Sequence, residues 1–180
     1  MNKRLILASA IAMLGFTGSA FAADGGQGFI RGELGSAKAK VEGGSEDDTS
    51  YSVRGGYFFN KNFAVEGFYN DYFSKSEDGV DLDVTGYGIG VVGKMYFAPA
   101  MDTGWFVDGR VGAAKIKGKA SVGGVGSASD TKTKPYAGVG IGYDFSRNLG
   151  LSLNYDYAKT DFYDVDLKLN TVSAGLEYRF

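Results

Sequence analysis

Acids and bases recur at even spacing along this chain. Arg31 and Glu33 stand two apart, as do Asp108 and Arg110, and Glu177 and Arg179. Arg54, Glu66, Lys94 and Asp156 sit singly among apolar and small residues, and Asp144 lies in a similar setting. Such groups can pair as ions, pass protons or hold a cation. The sequence contains no histidine. That removes the most common general base and the usual activator of a catalytic serine. Pairing of opposite signs accounts for the carboxylates without any reaction, so the chain reads as one without enzymatic activity. Asp81-Leu82-Asp83 and Asp164-Val165-Asp166 each place two carboxylates on one strand face. A dedicated calcium site needs further spaced oxygen ligands, which the pattern lacks. These read as solvated acids, and no metal or cofactor is expected.

The residues around the charges alternate. Counting back from Phe180, Tyr178, Leu176, Ala174 and Val172 form one apolar face. Arg179, Glu177, Gly175, Ser173 and Thr171 form the other. A period of two is the side-chain period of a β-strand. The same alternation recurs over 29–35, 51–59, 63–70, 86–97, 105–114, 136–145 and 149–158, giving eight strands in all. The polar stretches 37–49, 74–83, 117–134 and 159–168 read as long loops. The stretches 60–62, 98–103 and 146–148 read as short turns, the first with two asparagines that tolerate turn geometry.

Composition points the same way. Glycine is abundant at 29 residues, tyrosine and phenylalanine number 12 and 13, and proline appears twice. That mixture disfavours helices and suits many strands with tight turns. The start reads as an export leader. Lys3 and Arg4 precede an apolar run over 5–16, and 18–22 end in an A-x-A pattern, so cleavage is expected after Ala22. The apolar run is too short to span a bilayer as a helix. Residues 1–22 are thus expected as a signal peptide and 23–180 as one domain. Losing Lys3 and Arg4 leaves 17 bases (19 − 2) against 21 acids, a net charge of −4 (17 − 21). That balance argues against nucleic acid as a partner. There is no cysteine, so an exported domain of this size must be stable without disulfides.

A soluble barrel buries its apolar face inside, whereas a membrane barrel turns it to lipid. Two features select the membrane form. Long loops and short turns alternate strictly, as in bacterial outer-membrane barrels. Phe59, Phe63, Phe97, Trp105, Phe145 and Phe180 lie on the apolar faces beside the short turns, which makes an aromatic girdle at one interface. The expected fold is an all-β, eight-stranded antiparallel up-and-down transmembrane barrel, closed because lipid cannot satisfy a free strand edge.

With this rhythm and the closing Gly-Leu-Glu-Tyr-Arg-Phe, the chain over 23–180 resembles the small eight-stranded barrels of Gram-negative outer membranes, related to the OmpA transmembrane domain and to OmpX. The resemblance implies that Leu176, Tyr178 and Phe180 are read by the outer-membrane assembly machinery. It does not bring a peptidoglycan-binding domain, because the sequence ends at the eighth strand, and cell-wall tethering is not carried over.

The remaining expectations concern the lumen and the loops. Arg31, Glu33, Arg54, Glu66, Lys94, Asp108, Arg110, Asp156, Glu177 and Arg179 all fall on inward positions. An eight-stranded barrel is roughly filled by side chains, and charges enclosed there must pair. Two roles fit this set: a static polar plug, or a gated narrow channel for ions or small solutes in which Arg–Glu pairs exchange. Inward glycines such as Gly138, Gly140 and Gly142 leave room for water or for aromatic fillers such as Tyr136, Phe58, Phe68 and Phe106. In the loops, Lys117, Lys119, Lys132 and Lys134 form a basic group, with Lys115 just below. They suit either contact with lipopolysaccharide phosphates or a solvated flexible loop. The function read from the sequence is a surface-interaction platform. It is expected to be a monomer whose loops contact lipopolysaccharide, host surfaces or other external ligands.

Overall fold

The alternation read from the sequence becomes the wall of a barrel. The computed structural model describes residues 26–41, 44–77, 80–98, 103–122, 126–162 and 165–180. The expected leader, 1–22, and Pro99 lie outside the described residues. The strands are β1 (Gln27–Val41), β2 (Gly44–Phe58), β3 (Phe63–Glu77) and β4 (Val80–Tyr96). They continue as β5 (Gly104–Val122), β6 (Gly126–Asp144), β7 (Leu149–Phe162) and β8 (Val165–Arg179). Every strand pairs antiparallel with its sequence neighbours, and β1 closes on β8. Gly28 and Phe180 exchange backbone hydrogen bonds of 3.0 and 2.9 Å at the seam. No strand edge is left over, which is what lipid demands.

Side chains sort by parity. The girdle aromatics point outward, each more than half exposed: Phe59 57%, Phe63 61%, Phe97 64%, Trp105 57%, Phe145 60% and Phe180 55%. Arg31, Arg54 and Arg110 point inward and are buried. A soluble barrel would reverse this, so the fold carries its apolar surface as a lipid-facing belt. In β3 the register shifts between Asp71 and Phe73, with Tyr72 kept in the lumen.

The short turns are built locally. Asn60 Oδ1 accepts from the N–H groups of Asn62 and Phe63 at 2.8 and 2.9 Å. Ser146 Oγ accepts from Asn148 and Leu149 at 3.2 and 3.1 Å. The Asn62 and Asn148 amides then donate to the carbonyls of Lys94 and Arg179, tying each turn to the next strand. Gly104 enters β5 at φ 108°, a conformation that glycine adopts without a Cβ clash.

The four long loops are corrected. Each expected loop is largely strand, because the paired backbone ladder runs on past the apolar belt. Ala37 pairs with Asp48, Ser76 with Asp81, Val122 with Gly126, and Asp161 with Asp166. Polar side chains on both faces resemble loop composition. The main-chain hydrogen bonds of a hairpin do not depend on side-chain polarity. The barrel therefore carries paired strand extensions at the end opposite the short turns.

Candidate functional site

The lumen gathers the inward charges into two linked groups. Near the short turns, Lys94 Nζ lies 2.9 Å from Asp144 Oδ2, and Arg179 Nη2 lies 2.9 Å from the same oxygen. Tyr96 donates its hydroxyl hydrogen to Asp144 at 2.6 Å. Arg179 also meets Glu177 at 2.6 Å, and Arg31 Nε donates to Glu177 at 2.9 Å. Lys94 sits 3.6 Å from the centroid of the Phe106 ring, a cation over a π face.

Mid-barrel, Arg54 spans the lumen. It reaches Glu33 at 3.1 Å, Glu66 at 3.0 Å and Asp156 at 3.1 Å, carboxylates borne by β1, β3 and β7. Arg110 meets Glu33 and Asp156 at 3.1 and 2.9 Å. Tyr136 donates to Glu66 at 2.7 Å. Arg31 links the two groups, 3.8 Å from Glu33. Asp108 stands apart: its nearest cation, Arg31, is 3.9 Å away, and neither carboxylate oxygen has a hydrogen bond among the described residues.

Of the inward charges read from the sequence, Arg31, Glu33, Arg54, Glu66, Lys94, Arg110, Asp156, Glu177 and Arg179 are brought together, and Asp108 is enclosed at their edge. Asp144 proves central, and Tyr96 joins it without having been singled out. Its signal was its parity with Lys94. The glycines of β6 make room for this chemistry. A Cβ on Gly140 would lie 2.6 Å from Asp108 Oδ1 and 2.7 Å from Asn154 Oδ1.

Above the charges, toward the hairpins, the lumen turns apolar. Tyr72, Ile116, Tyr136 and Leu169, with Ala37, Phe68, Ala114 and Ala158, form one buried cluster with Val84 against it. These come from every strand but β2, so they form a collar. Between collar and charges lies a cavity of about 10 Å³ bordered by Ser52, Asn70, Asp156 and Ser173, room for about one water.

The loop lysines do not form one group. Lys117 is exposed on the outer wall. Lys132 and Lys134 stand across from Ile116 and Ala114, on the lumen-side parity of β6. The side chain of Lys119 lies outside the described residues, as do those of Asp81, Asp164 and Asp166. Leu176, Tyr178 and Phe180 form an outward stripe on β8, at the seam with β1.

The family model described as outer membrane protein beta-barrel domain matches residues 8–180. The chain belongs to that family. It is an outer-membrane protein of the Gram-negative type. Among solved structures, Neisserial surface protein A aligns with a TM-score of 0.74 at 17% identity, covering 85% of this chain and 97% of that one. Ail, the attachment invasion locus protein of Yersinia pestis, solved with the heparin analogue sucrose octasulfate, aligns at 0.60 and 21% identity, covering 86% and 99%. The N-terminal β-barrel domain of OprF from Pseudomonas aeruginosa aligns at 0.56 and 15% identity, covering 86% and 99%. At such identities the likeness is one of fold. No match is found among curated protein sequences.

Proposed function

We propose that this protein is a surface-interaction platform: a plugged barrel that holds four hairpins beyond the outer leaflet. The observation that carries the reading is Arg54, buried at mid-lumen and bound to three carboxylates from three strands beneath an apolar collar. A structure devoted to passage would not spend its bore on such a crosslink. The hairpins are the part left free to meet lipopolysaccharide, host surfaces or other external ligands. Ail was solved with a sulfated heparin analogue, which makes polyanions a class to try on the hairpins here. Export through cleavage after Ala22, assembly through Leu176, Tyr178 and Phe180, and a monomeric state belong to the same proposal.

Planar-bilayer recording of the refolded barrel tests it. The expected result is no conductance steps from protein shown to be folded and inserted. Reproducible steps would instead support a narrow channel. One observation favours that second reading: the small polar cavity bordered by Ser52, Asn70 and Asp156, where Ser52 Oγ and Asn70 Oδ1 have no hydrogen-bond partner among the described residues.

A further inference from the structure

We propose that the outer wall of β4, β5 and β6 carries a binding site for lipopolysaccharide phosphate, built on Lys115 and Lys117. The inference rests on the reading of the barrel as a lipid-embedded surface protein, and it names the partner and the residues.

Height comes first. Trp105 marks the girdle on the short-turn side of β5, and Lys115 follows it by ten positions on the same outward parity. Ten residues of a strand tilted by about 40° climb roughly 25 Å, the height of the apolar band of such barrels. Val111 and Ala113 fill the wall just below, both exposed. On β4, Tyr87 stands ten positions from the girdle residue Phe97 and directly opposite Lys115. Tyr87 and Lys115 thus mark the far interface, where the phosphates of the outer leaflet lie.

Register then supplies the partners. One row across the wall reads Tyr87, Lys115, Thr133, and the next reads Thr85, Lys117, Thr131. Neither row holds an acid on these three strands. Lys115 and Lys117 share one face of one strand about 7 Å apart, a gap that a phosphate between two ammonium groups bridges. The Tyr87 and Thr133 hydroxyls beside Lys115 add donors of the kind that phosphate oxygens accept. The nearest acids are set off from the pair. Asp71 lies beyond Thr85 on β3, about 10 Å across the sheet, and Asp83 is one row out, opposite Lys119.

Other lysines of the outer wall have acids in their neighbourhood, as Lys117 has Asp83 one row out. Lys38 is 3.5 Å from Asp47. Lys159 and Lys168 face one another, but the next row there is Asp161 opposite Asp166. The β5 pair differs in setting its two cations along one strand, with hydroxyl residues opposite on both neighbouring strands. Lys132 and Lys134, on the other parity, do not belong to it.

The test measures binding of fluorescent lipopolysaccharide to the folded full-length barrel in neutral detergent. Competitors are dephosphorylated lipopolysaccharide and phosphatidylglycerol. Replacing both Lys115 and Lys117 by Gln should weaken binding by about tenfold or more. The Lys115→Arg, Lys117→Arg pair should retain it, and Lys132→Gln with Lys134→Gln should leave it within about twofold of the parent. Dephosphorylated lipopolysaccharide should compete poorly. Unchanged binding by the glutamine pair, or equal competition by the dephosphorylated form, overturns the site. Equal competition by phosphatidylglycerol overturns its assignment to lipopolysaccharide. Bilayer silence or conductance bears on the plugged-lumen reading alone, so the two proposals fail separately.

Discussion

At the scale of single residues, enclosed charges are unequal. Arg54 compensates Glu33, Glu66 and Asp156 together. Removing it leaves carboxylates without their main counter-ion in a medium that solvates them poorly. Arg54→Ala should therefore cost about 3–5 kcal/mol, the range for breaking a buried pair. Asp108 is the opposite case, with no hydrogen bond among the described residues and its nearest cation 3.9 Å away. Asp108→Asn gives up little attraction and removes a buried negative charge. It should change stability by less than about 1 kcal/mol or raise it. Urea unfolding in lipid vesicles measures both. Equal losses from the two substitutions would mean that the pairing geometry does not govern the energetics.

At the scale of elements, period two settled most of the architecture. Outward Tyr178 against inward Arg179 was legible because one residue of slip exchanges the two faces of a strand. The ten inward charges were legible for the same reason. Their partners were not. Arg54 meets Asp156, 102 positions later in the chain, and no local spacing encodes a contact across a lumen. Asp144 was visible as an inward acid, but its role at the junction of Lys94, Tyr96 and Arg179 comes from barrel closure. The hairpin extensions were read as loops because the apolar face, the main sign of a strand, ends where lipid ends. Beyond it, Lys38 opposite Asp47 is held by ladder and ion pair alone. Amide hydrogen exchange separates the two accounts. Backbone amides over 115–118 should be protected well above random-coil rates yet exchange faster than those over 105–113, which lipid shields from water. Random-coil exchange over 115–118 would restore the loop reading. Gly104 gives a second check at this scale. Its φ of 108° makes Gly104→Ala destabilising by about 1 kcal/mol or more, readable in the same urea titration.

At the scale of the whole molecule, the lumen holds two barriers in series. The ion-pair network fills the middle of the bore, and the apolar collar closes it toward the hairpins. They oppose an ion for different reasons. The network blocks by occupying space, and its own charges would help to solvate an entering ion once Arg54 is gone. The collar's own side chains offer only the Tyr72 and Tyr136 hydroxyls, engaged by Asn70 and Glu66, while Asp48, Lys132 and Lys134 stand across from its Ala37, Ile116 and Ala114 on the lumen-side parity. An ion crossing it sheds water against the apolar side chains of Phe68, Ile116 and Leu169, which is how hydrophobic constrictions oppose passage. Barriers in series do not open one at a time. Arg54→Ala alone should remain electrically silent in a planar bilayer, and Ile116→Ser with Leu169→Ser alone should remain silent as well. The triple variant should show steps, because the mid-lumen crosslink and two large apolar side chains of the collar are then gone together. Steps from Arg54→Ala by itself would assign the whole barrier to the ion pairs and leave the collar as mere filling. Silence from a folded triple variant would place a further barrier at the turn-side end, where Phe29, Phe58, Ala64 and Val92 and the Lys94–Asp144–Arg179 group fill the bore.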